Sequence, residues 1–503
     1  MSTSLDQEVQ QVTLDPENWN ELLALGHRML DDMFRHLETL HDQPAWQPLP
    51  TRVVAALDEP LPSEGQPAAE VYEEFLQNVL PYTSGNRHPR AWGWVRGNGT
   101  PLAMLADMLA SGINPHVGGG QQAPTLVEQQ VLTWMKQVMG MPASASGVLT
   151  SGCTMANMLG LAVARHAKAG FNVRKQGLQG GHVPLLVYTS SETHMWVRKS
   201  MEFLGLGTDS LRRIAVDSDY RIRIDDLERQ IESDRKAGLR PIAVLGNAGT
   251  VNTGAIDDLE ALAALCRRED LWFHVDGAFG ALLKMSPKYA PLVRGLEQAD
   301  SLAFDLHKWV YLPFDIGCVL VRDAAVHRAT FATEASYLEV ASRGLLAGGL
   351  TFTDRGIELS RNFKALKAWM SLKTHGIEAY GAMIEQNMDQ ADYLESLIAR
   401  NPRLELLAPR VMNVVCFRYV PLSLGWDSAQ LNALNRELVM RLQESGKFLL
   451  SGTVLGEEYA LRVANVNHRS RMEDFSALID EVIDQGDLIA AFERDQISAA
   501  MPA

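Results

Sequence analysis

The sequence predicts an α/β protein built on a mostly parallel β-sheet. Between about residues 125 and 325, helical stretches alternate with short apolar runs, at residues 185–188, 242–245, 271–275, 301–304 and 318–321. Short apolar strands separated by helices are typical of successive βαβ units. Beyond about residue 375, helices alternate with short strands such as 414–417 and 460–464, which indicates a smaller α+β domain.

Three parts are expected from the 503 residues of the chain and from these changes of pattern. Residues 1–85 are predicted to form an N-terminal helical segment, residues 86–375 a large domain, and residues 376–503 a small C-terminal α+β domain. A long helix is predicted from residue 357 to the end of the large domain. Residues 333–349 lack a periodic pattern, and unpatterned loops of this length in a compact domain are often functional lids.

The front segment is predicted to depend on another part of the molecule for its packing. Apolar residues recur at helical spacing over residues 17–40, and a second helix is expected from about Ala69 until Pro81. The proline-rich stretch between them, residues 43–66, is expected to be extended. Such a segment buries little by itself, so its apolar face should pack on another domain or on a second subunit.

Composition and charge argue against several classes of function. The formal net charge is −15, whereas nucleic acids and anionic membranes are bound through basic surfaces. The four cysteines lack the spacing of a metal site or of a disulfide framework, and we expect neither. The chain shows no signal peptide, and no run reaches the roughly 18–20 apolar residues that span a bilayer. A cytoplasmic protein is therefore expected.

Asp276 is the first candidate for a functional residue. Ligands of parallel α/β sheets bind beyond the carboxyl ends of the strands. Asp276 ends a buried apolar strand, where a carboxylate is costly unless another group pairs with it. The protonated ring nitrogen of pyridoxal 5′-phosphate (PLP) would be a suitable partner. A capping aspartate gives the same local pattern, so Asp276 alone leaves both interpretations open.

Lys308 is the second candidate, in the segment Asp305-Leu-His-Lys-Trp309, again just after an apolar strand. A lysine at the end of a buried strand can be partly desolvated, which lowers its pKa and makes its amine nucleophilic. Most lysines lie at the surface of a protein, so the strand-end position is what sets this one apart.

Two further elements complete the candidate site. Residues 150–154, Thr-Ser-Gly-Cys-Thr, precede a predicted helix, whose free backbone N–H groups could hold a phosphate. His194 follows the strand at residues 185–188 and could stack on a flat cofactor. Each has an ordinary structural alternative, a helix cap for the threonine segment and a core position for the histidine. The order and spacing of the four elements together point to a PLP site.

These segments resemble the pyridoxal-dependent group II decarboxylases, the family of aromatic-L-amino-acid, histidine and glutamate decarboxylases. The most specific match is His274-Val-Asp-Gly-Ala-Phe followed by Asp305-Leu-His-Lys-Trp309, and the resemblance extends from about residue 20 to about residue 485. It implies the aspartate-aminotransferase-like fold, which is fold type I of PLP-dependent transferases. It also implies a homodimer with active sites at the subunit interface and an N-terminal segment that wraps around the partner subunit.

The resemblance assigns a role to each candidate residue. Lys308 would bind PLP as a Schiff base, and Asp276 would pair with the pyridine nitrogen. Tyr337, in the predicted loop, matches the tyrosine thought to protonate the substrate carbon after CO2 leaves. The remaining cofactor residues would be Ala278 near the ring, His194 stacked on its other face, Thr250 close to the ring, Cys153 and Thr154 at the phosphate, and His307 beside phosphate and substrate. No metal is expected.

Two regions depart from the family pattern. Asp305 stands where the family often has Asn, and a carboxylate beside a phosphate would be repelled. It should therefore be turned away, protonated or paired with a base. The segment at residues 88–94, which helps to shape the family's substrate pocket, is unlike that of the aromatic-amino-acid decarboxylases. Its Trp92 and Trp94 could form an apolar pocket wall or be core residues.

The reaction expected is the PLP-dependent α-decarboxylation of an L-amino acid, with an aromatic or other bulky side chain, to the amine and CO2. Oxidative decarboxylation and deamination to an aldehyde is one alternative, which in this family goes with loss of the loop tyrosine. Another lyase or transaminase reaction on the same fold and a catalytically silent scaffold are the others. A nicotinamide enzyme is disfavoured because no GxGxxG follows a strand. The sequence leaves open which amino acid is the substrate.

Overall fold

The computed structural model describes residues 12–333, 343–345, 347, 350–422 and 425–500, the last eight by their backbone alone. These residues belong to two compact units. One unit comprises the chain up to Gln43 together with Leu49–Thr83, and the other comprises Pro44–Pro48 and the chain from Ser84 onward. Among the described residues, no helix combines the length and the apolar character needed to cross a bilayer.

The first unit consists of short helical pieces around one long helix. Its helices are α1 (Trp19–Glu38), α2 (Thr51–Ala56) and α3 (Ala68–Glu74). The helix α1 begins where the Asn18 side chain accepts a hydrogen bond from the backbone N–H of Asn20. The predicted second helix is shorter than expected, because after α3 the chain widens into a π turn at Phe75–Val79. The stretch expected to be extended contains α2.

A large sheet forms the centre of the second unit, and seven of its strands lie in the described part of the chain. They are β1 (Ser146–Thr150), β2 (Leu185–Ser190), β3 (Leu211–Ile214), β4 (Arg240–Asn247), β5 (Trp272–Asp276), β6 (Ser301–Asp305) and β7 (Gly317–Val321). Their order is β1-β7-β6-β5-β4-β2-β3, and β7 runs antiparallel to its neighbours on both sides while the other pairs are parallel. The mostly parallel sheet predicted from the sequence is confirmed.

Helices cover the large sheet, and a second, smaller sheet follows in the chain. The helices are α4 (Pro101–Ile113), α5 (Ala123–Met139), α6 (Cys153–Lys168), α7 (Val173–Gln176), α8 (Trp196–Phe203), α9 (Ile224–Lys236), α10 (Leu259–Arg268), α11 (Ala324–Phe331) and α12 (Ala365–Ala399). The later elements are β8 (Leu404–Leu406), β9 (Val414–Tyr419), α13 (Ser428–Glu444), β10 (Ser451–Leu455), β11 (Glu458–Ala464) and α14 (Met472–Ala500). The second sheet is antiparallel, in the order β10-β11-β9-β8.

The helix predicted to begin at residue 357 begins at Ala365, and its course is interrupted at Gly376, whose φ is 72°. Residues just before α12 are held in another conformation by long-range hydrogen bonds. The imidazole of His116 bonds to the carbonyl of Leu359 at 2.8 Å, and the N–H of Val117 donates to the carbonyl of Arg361 at 2.8 Å. The predicted start was wrong because these contacts, which local periodicity does not reveal, override it.

A buried ion pair holds the segment before α12 against the strand that leads to the candidate site. The guanidinium of Arg361 donates to Glu128 in α5 at 2.6 and 3.2 Å and to the carbonyl of Leu149 in β1 at 2.9 Å. Glu128 also accepts from the N–H of Leu149 at 3.3 Å. Both side chains are almost completely buried, at 2% and 0% exposure. The pair therefore fixes Leu149 in β1, immediately before residues 150–154 in the chain.

Replacing Glu128 with glutamine should destabilise the protein strongly. The change leaves the Arg361 guanidinium buried without its counter-charge, which typically costs about 3–5 kcal/mol. Urea denaturation of the apoprotein, followed by far-UV circular dichroism, measures this loss. The matched control is Glu232→Gln, since Glu232 is exposed and pairs with Lys236 within α9. A change of under about 1 kcal/mol is expected for that surface pair, and an equally small change for Glu128→Gln would contradict the prediction.

Candidate active site

A cavity of about 420 Å³ opens where the parallel strands of the large sheet end. The chain segments that follow β1, β2, β4, β5 and β6 all reach it, because the carboxyl ends of parallel strands meet at one edge of a sheet. The residues predicted from the sequence to contact a cofactor all line this cavity: Cys153, Thr154, His194, Thr250, Asp276, Ala278, His307 and Lys308. The structure thus brings these eight residues together.

Asp276 is buried at the wall of the cavity, with only 7% of its surface exposed. One carboxylate oxygen, Oδ2, accepts a hydrogen bond from the indole Nε1 of Trp196 at 2.5 Å. The other, Oδ1, accepts from the backbone N–H of Ala278 at 3.1 Å and lies 3.6 Å from the thiol of Cys153. Asp276 therefore caps the turn after β5 and also faces the cavity, so the two interpretations of the sequence are compatible.

A chain of buried polar groups fixes α6 behind Asp276. The imidazole of His274 bonds through Nε2 to Oδ1 of Asn157 in α6 and through Nδ1 to Oγ of Ser301 in β6, each at 2.7 Å. The amide of Asn157 in turn donates to the sulfur of Cys153 at 3.3 Å. Burial lowers the pKa of His274 to about 4, so the ring is neutral near pH 7. The beginning of α6 is thus tied to the strand that carries Asp276.

The beginning of α6 offers backbone N–H groups to the cavity. The first N–H groups of an α-helix have no partner within the helix, and they carry the positive end of the helix dipole. Cys153 and Thr154 are the first two residues of α6, and the Thr154 side chain is exposed. The helix begins directly after Gly152, which also lines the cavity. This end of the cavity can accept a phosphate group, as expected from the sequence.

Lys308 lines the same cavity and is paired with Asp305. The Nζ of Lys308 is 3.0 Å from Oδ2 of Asp305, and the Nε2 of His307 is 3.6 Å from the same oxygen. Burial acts to lower the pKa of Lys308, but the attraction of Asp305, together with smaller contributions from Cys153 and Asp276, holds the pKa above the ordinary lysine value. The expected lowering of this pKa was wrong, because a pattern of apolar runs does not show which charge will lie beside the amine.

His194 and Thr250 line the cavity with their polar atoms partly engaged. The Nδ1 of His194 accepts a hydrogen bond from the backbone N–H of Trp196 at 3.3 Å, and burial lowers the pKa of His194. A neutral, half-buried imidazole is suited to stacking on an aromatic ring. The hydroxyl of Thr250 lies 3.1 Å from that of Thr253 and accepts from the N–H of Ala255 at 3.1 Å, so it stabilises its own loop.

Arg462 and Trp196 are site residues that the sequence analysis did not identify as such. Arg462 lies on β11 of the small sheet, 3% exposed, and donates to the carbonyls of Val251 and Asn252 in the loop that contains Thr250. Trp196 begins α8 and is 1% exposed. A buried tryptophan requires a partner for its indole N–H, but sequence alone does not show that this partner is Asp276.

The sequence left open whether Trp92 and Trp94 form a pocket wall or belong to the core, and the structure places them differently. Trp92 is a core residue of the smaller sheet's hydrophobic cluster, where its ring stacks on Phe475 with centroids 4.6 Å apart. Trp94 lines the cavity, and the guanidinium of Arg96 lies 4.4 Å from its ring centroid. The segment that contains Trp94 packs closely against the turn that contains Lys308. At Gly97 there is no room for a side chain, since a Cβ there would lie 1.9 Å from the carbonyl oxygen of His307.

Tyr337 and most of the predicted lid lie outside the described residues. Among the residues that are described, no group of histidine, cysteine, aspartate or glutamate side chains could hold a metal ion. The described part of the site therefore consists of a lysine, two carboxylates, two histidines and a helix terminus around one cavity.

The sequence matches a known family over most of its length. Residues 50–420 match the pyridoxal-dependent decarboxylase conserved domain. The chain belongs to this family. An aromatic-L-amino-acid decarboxylase from Bacillus atrophaeus is 32% identical over 468 residues, which cover 92% of this chain and 95% of that relative. A phenylacetaldehyde synthase from Arabidopsis thaliana is 29% identical over 90% of this chain and 93% of that relative.

Solved structures show the same fold. Oryza sativa TDC, solved with PLP and tryptamine, matches with a TM-score of 0.87 and 24% identity over 95% of this chain and all of that one. Mouse CSAD matches with a TM-score of 0.85 and 26% identity, covering 92% of this chain and 99% of that one. The fold of PLP-dependent decarboxylases, expected from the sequence, is confirmed.

The described site fits the cofactor of this family. A PLP molecule presents a ring nitrogen, an aldehyde and a phosphate, which require a carboxylate, a lysine and a set of N–H donors. The cavity offers Asp276, Lys308 and the beginning of α6 at separate points of its wall. This pyridoxal-dependent decarboxylase is therefore a carboxy-lyase with PLP as its cofactor.

Replacing Trp196 with phenylalanine should weaken the binding of PLP about tenfold or more. The change keeps an aromatic ring but removes the hydrogen bond to Asp276, and a hydrogen bond to a charged group is worth roughly 1.5–3 kcal/mol. Equilibrium dialysis of the apoprotein against PLP measures the dissociation constant. Trp92→Phe is the control, since Trp92 is equally buried but donates to Ser470. Equal affinities of the two variants would show that the contact with Asp276 is not important for binding.

Proposed function

We propose that this enzyme catalyses the α-decarboxylation of an aromatic L-amino acid to the corresponding amine and CO2. The observation that carries the proposal is the placement of Asp276 and Lys308 in one cavity that the partly exposed Trp94 also lines. The aromatic-L-amino-acid decarboxylase that is 32% identical over nearly the whole chain supports this substrate class. The other relatives include tyrosine and tryptophan decarboxylases.

In this proposal the residues at the wall of the cavity hold and orient the reacting groups. Lys308 binds the cofactor covalently, Cys153 and Thr154 bind its phosphate at the start of α6, and His307 lies beside phosphate and substrate. PLP, when bound, supplies the electron sink for the pair released as the bond between Cα and the carboxylate breaks. Asp276 holds a proton on the ring nitrogen, and Trp196 holds Asp276 in place.

His194, Ala278 and Thr250 are proposed to define the slot for the cofactor ring. The uncharged imidazole of His194 stacks on one face, and Ala278, which lines the cavity beside Asp276, packs near the ring. Thr250 limits the ring at its edge, and Arg462 supports the Thr250 loop from the small sheet. The reacting bond is thereby held away from water in a fixed orientation, which favours the loss of CO2.

Tyr337 is proposed to deliver the proton that replaces the carboxylate at Cα. A phenol near the reacting carbon favours amine formation, because a carbon that is protonated promptly is not exposed to dioxygen. The alternative reaction consumes one amino acid, one O2 and one water, and gives an aldehyde, CO2, ammonia and hydrogen peroxide. A phenylacetaldehyde synthase is among the relatives, so the aldehyde reaction is the alternative that should be measured.

A homodimer is proposed, with the domains divided near residues 85 and 375. The first unit by itself exposes apolar side chains along α1, including Trp19, Leu23 and Phe34. The second unit by itself exposes a row of apolar residues on α4, namely Met108, Leu109 and Ile113. Apolar surfaces of this kind are typical of subunit interfaces. We further propose that the enzyme is cytoplasmic, in line with its four free cysteines.

Replacing Lys308 with alanine should abolish the visible absorbance of the protein-bound cofactor and all decarboxylase activity. The reason is that Lys308 is the only lysine among the described residues that line the cavity. Absorbance spectra measure the first effect. The second is measured as CO2 release with five substrates: L-tryptophan, L-tyrosine, L-phenylalanine, L-DOPA and L-glutamate. Lys288→Ala is the control, since Lys288 is exposed and pairs with Asp389. Full turnover of the Lys308 variant would refute the proposal, and turnover of wild type with L-glutamate alone would refute the aromatic substrate class.

Replacing Tyr337 with phenylalanine should shift the products from amine towards aldehyde. The phenol proton is lost while the ring is kept, so the reactive carbon persists long enough to meet dioxygen. Amine, aldehyde and hydrogen peroxide are measured from the same reaction, with wild type as the reference. Wild type should release about one amine per CO2 and little peroxide. A variant that makes amine at the wild-type rate would remove Tyr337 from the mechanism.

A further inference from the structure

Asp305 is a buried carboxylate with one paired oxygen and one unpaired oxygen. It ends β6 with 2% exposure, and its backbone N–H donates to the carbonyl of Ala278 at 2.9 Å. Its Oδ2 is 3.0 Å from the Nζ of Lys308, whereas Oδ1 accepts no hydrogen bond from any described residue. A buried carboxylate is costly unless a charge compensates it, and here the compensating charge is the ammonium of Lys308.

Asp305 dominates the charge environment of Lys308. The titratable groups that face Lys308 come from every element packed against it: Asp305 and His307 from its own turn, Cys153 from α6, Asp276 from β5 and His194 from the segment after β2. Within the described residues, only Asp305 lies at ion-pair distance from the Nζ of Lys308. Burial by itself would lower the pKa of Lys308, and the raised pKa reflects chiefly the attraction of Asp305.

We propose that Asp305 is a positioning residue that keeps a proton on Lys308 whenever Lys308 is not bound to the cofactor. The inference rests on the proposed role of Lys308 as the lysine that binds PLP. The sequence left three possibilities for Asp305, and the ion pair favours a base as its partner. An asparagine at this position would keep the shape of the side chain but would supply no charge to Lys308.

The function of this proton follows from the exchange between Lys308 and substrate. The substrate ammonium gives up one proton in order to attack, and its nitrogen forms a bond to the cofactor carbon. A second proton passes from the substrate nitrogen to the Lys308 nitrogen, and the bond from the cofactor carbon to the Lys308 nitrogen breaks. The released amine then takes up the proton that the substrate first gave up, so that charge and protons balance. Beside Asp305 the released Lys308 is an ammonium ion without a free electron pair. It therefore cannot displace the substrate until it gives up that proton.

The test is the pH dependence of cofactor capture by the apoprotein of Asp305→Asn, prepared by removing PLP from the holoenzyme. Only the neutral amine of Lys308 reacts, so the capture rate rises with pH through the pKa of Lys308. An opposite charge within about 4–6 Å shifts a pKa by roughly 1–3 units. The midpoint of the rate profile should therefore fall by about one pH unit or more in D305N, which makes capture at neutral pH faster.

Two further variants separate the effect of the Asp305 charge on Lys308 from the effect of side-chain size and of overall net charge. Asp305→Glu keeps the negative charge, and its midpoint should stay closer to wild type than that of D305N. Asp270→Asn makes the same change in net charge at an exposed site that pairs with Lys168, and its midpoint should not move. The visible absorbance of the holoenzymes, titrated with acid and base, gives a second midpoint, which is the pH at which the Schiff base between Lys308 and PLP loses its proton. This midpoint should also fall in D305N, because the protonated Schiff base loses its counter-charge. Asp305→Ser serves as a second uncharged variant if D305N yields no folded apoprotein.

The outcomes that overturn the inference differ from those that overturn the proposed function. A D305N profile with the wild-type midpoint would exclude a role for Asp305 in holding the proton of Lys308. Faster capture by the same factor at every pH would mean that Asp305 merely repels the phosphate of PLP, and it would overturn the inference as well. Covalent capture of PLP by the Lys308→Ala apoprotein would refute the proposed function itself, whatever the behaviour of D305N.

Discussion

Asp276, Asp305 and Lys308 lie together at the carboxyl edge of the large sheet, where both carboxylates are buried and the Lys308 side chain is 17% exposed. Charges removed from water are tolerated only where other groups compensate them. This constraint explains much of the surrounding structure. Asp276 is held by the indole of Trp196 and the N–H of Ala278, while Asp305 and Lys308 compensate each other. The elements that supply these partners, α8 and the turns after β5 and β6, must therefore be placed precisely enough for hydrogen bonding rather than merely for apolar contact.

Much of the fold could be predicted from the sequence because buried parallel strands are short, continuous apolar runs. The strands that were missed lack that signal. β1 has only Val148 and Leu149 as large apolar residues, and β3 contains Arg212 and Arg213, which are acceptable at the edge of the sheet. The start of α12 was misplaced because Arg361 is drawn to Glu128 by a contact between residues 233 positions apart. Periodicity reports local preference, and such distant pairings lie outside it.

Four elements of the site were predicted from motif spacing and the other site residues from the family resemblance, and those that the structure describes lie around one cavity. What spacing could not supply is the partner of each group. The pairing of Asp276 with Trp196 and the support of the Thr250 loop by Arg462 join residues that are far apart in sequence, 80 positions in the first case. The charge on Lys308 depends in the same way on the orientation of Asp305, which a strand-end position does not specify. The proposed roles come from local sequence and the family resemblance, whereas the contacts that adjust the charge and position of each group come from the three-dimensional structure.

The segment before α4 is anchored on both sides of the pocket wall. One anchor is Trp92, which packs in the hydrophobic cluster of the small sheet and donates a hydrogen bond to Ser470. The other is Gly97, whose backbone packs against the carbonyl of His307 without room for a side chain. Within this segment, the residues between the two anchors can change without disturbing either one. Of these residues, Trp94, Val95 and Arg96 line the cavity, so laboratory evolution of the part of the pocket wall that this segment supplies is confined to residues 94–96. Exchanging the whole segment with that of a relative would replace the anchors together with the wall, so the support of the pocket would change along with its lining.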